Sequence, residues 1–178
     1  FPEWGSTGVI LPWYIYKRYG DKKILQTSYS SAKKYVEYLR SRADSNIVNF
    51  GIGDWFDIGP KPVGPSQLTP LGVTATATYH YDVTILAKIA KLLNQEDDYN
   101  LYNKLAADIK DAFNKKYFNN ATKQYATGSQ TANAMALYMG LVEPANRAAV
   151  VNALVNDIQK RNKALTAGDI GFRYVLKA

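Results

Sequence analysis

The residues best suited to chemistry cluster in one stretch, Phe50-Gly51-Ile52-Gly53-Asp54-Trp55-Phe56-Asp57. Its two glycines let the backbone turn tightly. An acid beside an indole then presents a hydrogen-bond acceptor next to a flat apolar plate, a pairing that suits a sugar hydroxyl and the C–H face of its ring. Asp54 and Asp57 also admit an acid/base pair, a hard-cation site or a purely structural tie, because a three-residue spacing on a loop fixes no separation. Pro2-Glu3-Trp4-Gly5-Ser6 offers a second acid–indole pair, with Trp4 as a wall residue and Ser6 or Thr7 as a helix cap. The only histidine, His80, lies between Tyr79 and Tyr81 with Asp82 adjacent. Residues two apart do not share a helix face, so this is no nucleophile–histidine–acid set and His80 reads as a hydrogen-bonded core residue. With no cysteine and one histidine, disulfides and Cys/His metal sites are excluded, and no metal or cofactor is expected.

These residues must be positioned by helices, since helical periodicity dominates the chain and strand alternation is scarce. Segments 8–19, 27–41, 73–94, 97–117, 129–140, 145–162 and 169–178 read as helix, giving an all-α fold. They are of two alternating kinds. Tyr29/Ala32/Val36/Leu39, Leu101/Leu105/Ile109/Phe113 and Val150/Leu154/Ile158 form single apolar stripes, so those helices lie outside. Val9–Tyr16, Thr74–Ala90 and Gln130–Met139 have no continuous polar face and must be surrounded. Inner helices run into outer ones through short turns at Gly20, Asn94 and Gly140; outer helices return through long loops rich in Gly, Pro, Trp, Asp and Asn. In an antiparallel ring all the long loops share one end. Phe1 to Gly5, Gly53 to Gly59, Tyr125 to Gln130 and Gly168 to Phe172 should therefore form one mouth, with the Gly/Pro stretch Gly59 to Gly72 as an ordered loop over it. Asp169 is read first as a helix cap, with substrate contact as the second option.

The chain's 178 residues, 47% hydrophobic and 21% charged, suffice for one sizeable core. The net charge of +7 comes from scattered pairs such as Lys33-Lys34 and Lys115-Lys116 on outer-helix patterns, so no nucleic-acid partner is expected. No run of about 18 apolar residues is present, so no membrane partner is expected either. The compartment is left open, with a periplasmic or extracellular one favoured over the cytoplasm. The 14 Tyr and 3 Trp exceed what a plain helical core needs and are assigned to the long-loop end.

The ordered series Trp4-Gly5-Ser6, Leu11-Pro12-Trp13-Tyr14, Tyr19-Gly20-Asp21, Gly53-Asp54-Trp55 and Thr74-Ala75-Thr76-Ala77 resembles bacterial α-L-rhamnosidases of glycoside hydrolase family 78. Asp111-Ala112-Phe113-Asn114, Gln130-Thr131, Gly140-Leu141-Val142 and Thr166-Ala167-Gly168-Asp169-Ile170-Gly171 extend the resemblance over nearly the whole chain. It implies an (α/α)6 six-hairpin barrel that removes terminal L-rhamnose by inversion, acting on rhamnose-containing glycans or glycosides. It also implies a general-acid Glu in an Arg/Glu/Trp/Asp-rich segment and a general-base Glu in a Thr-Thr-Trp-Glu-like segment, and neither motif occurs in residues 1–178. The expectation is one fragment, 1–178, from the centre of the catalytic domain. Its ring is a partial (α/α)6 barrel, incomplete, with no catalytic residue of its own. Asp54, Trp55 and Trp4 are the expected sugar contacts. Another (α/α)-barrel carbohydrate enzyme and a protein-binding helical-repeat scaffold are the alternatives; unequal repeat lengths and the Gly-Asp-Trp loop speak against the scaffold.

Overall fold

The computed structural model describes residues 1–178. In chain order the elements are α1 (Pro2–Gly5), α2 (Thr7–Tyr19), α3 (Lys23–Arg42), α4 (Leu71–Leu92), α5 (Glu96–Tyr117), β1 (Phe118–Asn119), β2 (Gln124–Tyr125), α6 (Gln130–Tyr138), α7 (Arg147–Lys160) and α8 (Phe172–Val175), with a 3-10 turn at Pro144–Asn146. Each long inner helix packs against the outer helix that follows it: α2 on α3, α4 on α5, α6 on α7. The inner elements also neighbour one another, α2 beside α4, α4 beside α6 and α6 beside α8. The result is three inner–outer helix hairpins followed by one further inner turn.

The short turns owe their form to local chemistry. Gly20 (φ 74°) and Gly140 (φ 76°) take the left-handed conformation that ends α2 and α6, and Gly20 N–H donates to Tyr16 O at 2.8 Å. Asp21 Oδ1 accepts Lys23 N–H at 2.8 Å, and α3 starts four residues before the expected segment 27–41. Glu96, Asp97 and Asp98 occupy the first turn of α5, where the exposed amides favour negative charge.

Inner and outer helices differ in burial as the patterning requires. In α4 every residue from Gly72 to His80 is buried, and in α6 every residue from Gln130 to Leu137. Outer helices bury only a stripe: Leu25, Ala32, Val36 and Leu39 of α3; Tyr102, Leu105, Ile109 and Phe113 of α5; Val150 and Leu154 of α7. At about 1.5–3 kcal/mol for each large apolar side chain, these stripes hold the outer layer in place. The buried threonine hydroxyls on α4 are all paired, whereas the Tyr79 phenol has no partner. Thr76 Oγ1 donates to Val48 O at 3.0 Å and accepts Val48 N–H at 3.1 Å, thereby stitching the long loop to the helix, while Thr78 donates to Thr74 O at 2.8 Å.

Four expectations are corrected. The 169–178 helix is only α8, one regular turn, because its amides bond to a mixture of carbonyls three and four residues back. A β-hairpin, Phe118 opposite Tyr125 and Asn119 opposite Gln124, stands at the end of α5. Here Asn119 Oδ1 accepts Ala121 N–H at 2.9 Å and Thr122 N–H at 3.1 Å, a side-chain turn that periodicity does not register. The first residues form α1 instead of plain loop. Most of the tyrosine excess is packing: Tyr79, Tyr102 and Tyr125 are wholly buried, and Tyr125 OH donates to Asn114 Oδ1 at 2.6 Å. The phenols of Tyr14, Tyr81 and Tyr138 meet between three inner helices, with Tyr14 OH 3.2 Å from Tyr81 OH and 3.1 Å from Tyr138 OH.

His80 is a core residue. Its Nδ1 has no partner, and burial together with the Lys110 charge pushes the imidazole down from 6.5 to about 4. Between those values the unfolded chain binds the extra proton, so this group's contribution is complete above pH 6.5 and is lost as pH falls through about 4. Urea titrations of the parent and His80→Leu at several pH values test this. The parent should lose on the order of 3 kcal/mol more than the variant from neutral pH to the folded pKa. Parallel pH profiles would mean that the imidazole is not desolvated.

Candidate functional site

The four long-loop segments do meet at one end. Glu3, on α1, lies against the glycine loop and the start of α4: its Oε1 accepts Thr74 Oγ1–H at 2.8 Å, and a Cβ on Gly51 would stand 2.6 Å from Oε2. Gly53 (φ 69°) has equally little room, since a Cβ there would be 2.7 Å from both Leu71 and Ser66. Trp4 and the Gly53-Asp54-Trp55 turn therefore lie at the same end of the helices.

Asp54 is completely buried. Its Oδ1 accepts Gly171 N–H at 2.7 Å; its Oδ2 accepts Gly168 N–H at 2.9 Å and the Thr131 hydroxyl. Burial pushes the carboxyl above its ordinary value while these three donors pull it back. The same two segments are zipped by their backbones, Asp169 N–H to Trp55 O at 2.8 Å and Ile58 N–H to Thr166 O at 2.9 Å. Gly168 and Gly171 are glycines of close approach, because a Cβ would run into the Trp55 carbonyl in one case and Thr131 in the other. The Asp54 carboxylate thus faces inward and carries the 168–171 segment.

Asp57, also completely buried, does the same for the Gly/Pro loop. Its two oxygens accept Gln67 N–H at 2.9 Å, and Oδ2 also accepts Leu68 N–H at 2.7 Å. Thr69 and Ser129 hydroxyls meet at 2.7 Å, closing that loop onto the start of α6. The stretch is an ordered cover, held by side chains in place of a ladder. The acids at positions 54 and 57 therefore have separate jobs, and no group of acids and histidine in the chain is arranged to hold a metal ion.

The indoles present the open surface. Trp4 is 53% exposed; Trp55 is partly buried, its ring edge-on to Phe56 at 5.5 Å. Phe56 takes a positive φ of 61°, unusual for an aromatic residue, and leaves its ring exposed. Asp169 makes no cap, in contrast to the first reading: its side chain is exposed and has no partner, and α8 starts without a side-chain cap. Of the acids at this end it alone is free. Ser6 and Thr7 do not cap α2 either; the Ser6 hydroxyl bonds to Pro2 O at 2.6 Å and to Asp82 Oδ2. Sequence reading assigns Asp82 no role of its own. Its position on a helix without a continuous polar face, with no basic partner in reach of the pattern, is the signal that marks it as an internal anchor.

A family profile described as the bacterial alpha-L-rhamnosidase 6 hairpin glycosidase domain matches residues 1–178. The chain belongs to this family. An alpha-L-rhamnosidase of Streptomyces avermitilis is 31% identical over 169 residues, and one of Formosa agariphila is 27% identical over the same length, each alignment covering 94% of this chain. The chain spans only 15% and 18% of the length of those relatives. Among solved structures, an alpha-L-rhamnosidase from Dictyoglumus thermophilum superposes with a TM-score of 0.91 at 37% identity, covering 99% of this chain and 20% of that one. The Streptomyces avermitilis enzyme complexed with L-rhamnose superposes at 0.88 with 29% identity, covering 98% of this chain and 16% of that one. The six-hairpin rhamnosidase-family fold is thereby established.

In this rhamnosidase-family segment, Asp54→Asn turns an acceptor of three donors into a group whose NH2 must face an N–H or a hydroxyl. About 2–4 kcal/mol should be lost in chemical denaturation, and the amides of Gly168 and Gly171 should exchange with solvent much faster. Unchanged exchange at those two amides would refute the anchoring role.

Proposed function

We propose that the chain forms one side of the sugar-binding mouth of an α-L-rhamnosidase that releases terminal L-rhamnose from glycans or glycosides with inversion. Trp55 and Trp4 are the proposed stacking surfaces, and Asp54 acts by holding the Trp55 turn against the 168–171 segment. Asp169, exposed and unpaired beside that turn, is the proposed acceptor for a sugar hydroxyl. The carrying observation is this division of labour: two indoles are accessible at the long-loop end, while Glu3, Asp54, Asp57 and Asp82 are all engaged in internal hydrogen bonds. The similarity to a structure complexed with L-rhamnose supports the choice of sugar.

Inverting hydrolysis needs two carboxyls roughly 6.5–9.5 Å apart, one to protonate the leaving oxygen and one to activate water. Acids already committed to backbone amides and hydroxyls do not supply such a pair. The general acid and base are therefore proposed to lie outside residues 1–178, with this chain contributing binding and orientation.

Two measurements test the reading. The isolated chain, verified as helical by circular dichroism, should give no turnover of a chromogenic α-L-rhamnoside above background, whereas the full-length protein should give β-L-rhamnose as the first product by NMR. Turnover by the chain alone would return the buried acids to candidacy. In the full-length protein, Trp55→Ala should abolish the protection of tryptophan fluorescence by rhamnose; protection equal to the parent's would remove Trp55 from the site.

A further inference from the structure

Asp82 sits on α4 just past its all-buried part, itself completely enclosed, with Oδ1 lacking any partner and Oδ2 bonded to Ser6 Oγ. Ser6 Oγ is at the same time 2.6 Å from Pro2 O. Each of these oxygen–oxygen approaches needs a proton between the two atoms. A serine hydroxyl has one proton, and a peptide carbonyl has none. A proton on Asp82 gives each approach its own donor, where a single serine proton would have to be divided between them.

No cation offsets a charge here. Asp82 takes part in none of the chain's ion pairs, which join Lys33 to Asp98, Arg40 to Glu37, Lys104 to Asp108, Lys110 to Glu143 and Arg161 to Asp157. The titratable groups that face it are Tyr35 from α3 and Tyr174 from α8, both phenols, with the Glu3 carboxyl in the neighbouring turn of α1. An ionised Asp82 would leave a charged oxygen buried and unpaired, whereas a neutral acid leaves only a carbonyl oxygen so. Burial pushes the Asp82 carboxyl well above the usual carboxylate range.

We propose that Asp82 is a protonated donor at neutral pH, that the chain Asp82–Ser6–Pro2 O is a neutral hydrogen-bonded strut, and that it positions Trp4 at the mouth. The direction of donation runs from the Asp82 carboxyl to Ser6 Oγ, and from the Ser6 hydroxyl to Pro2 O. Pro2 opens the turn that carries Trp4, and Tyr35 OH also donates to Pro2 O at 3.3 Å, so the strut and the phenol fix this turn from two sides. Gly5 is part of the arrangement: a Cβ there would collide with the Tyr35 phenol. Asp82 is a positioning residue that acts through Ser6 and the Pro2 turn, and its effect on substrate rests on the proposed role of Trp4.

The test uses the full-length protein. Infrared difference spectra between the parent and Asp82→Asn at neutral pH should contain the carbonyl stretch of a protonated carboxyl in the parent only; its absence overturns the proposal. Asp82→Asn, whose amide can donate along the same line to Ser6, should keep kcat and KM for a chromogenic α-L-rhamnoside within about twofold of the parent. Ser6→Ala and Asp82→Leu, which break the strut, should raise KM about fivefold with kcat held within about twofold. Parent-like KM in a folded Ser6→Ala variant overturns the positioning role, and the infrared band decides the protonation state even where a strut variant fails to fold. Trp4→Ala separates the two levels: if it leaves KM unchanged, the stacking role of Trp4 falls, while the band still reports a neutral strut.

Discussion

A buried carboxylate that gathers amides from a distant loop is the interaction on which this end of the molecule depends. The long connections have no ladder of their own, so their backbone donors must find acceptors elsewhere or stay exposed to water. Asp54 accepts from Gly168, Gly171 and Thr131, donors that lie 77 to 117 residues further along the chain. Asp57 gathers Gln67 and Leu68 in the same manner. Each such acid loses hydration on burial, and several charge-assisted bonds are needed to offset that. This is why the acids beside the indoles are poor candidates for catalysis and good ones for shape.

The inner helices supply the fixed frame against which those loops are tied. An all-round apolar helix leaves few positions for polar side chains, so each polar group it does carry is directed to a specific partner. Thr74 meets Glu3, Thr76 meets both backbone groups of Val48, and Asp82 meets Ser6. α4 is thus both the centre of the packing and the template for the loops above it. Substituting any of these polar groups acts on a loop as much as on the helix.

Sugar-contacting surface and packing surface are made from the same residue types, which is where composition misleads. Tyr79, Tyr102 and Tyr125 serve the core, whereas Trp4 and Trp55 remain accessible. The excess of lysine and arginine is spread over outer helices, several in local pairs such as Lys104–Asp108 and Arg161–Asp157, each worth little in water and irrelevant to the mouth.

Periodicity was enough to distinguish inner from outer helices, because burial on one side or on all sides writes itself directly into which positions can be polar. The alternation of short turns and long loops likewise implied that Trp4 and Asp54 share an end, since antiparallel hairpins leave no other choice. The direction in which each acid points was not legible. Asp54 and Trp55 are adjacent in sequence, yet one turns into the protein and the other toward its surface, and only the approach of Gly168, Gly171 and Thr131 decides which. Asp82 and Ser6 are 76 residues apart and carry no shared motif; their bond, and the exposure of Asp169, follow from helix packing. Sequence alone determines patterns that repeat along the chain, whereas a single side chain's hydrogen-bond partner depends on which distant backbone the fold brings within about 3 Å of it.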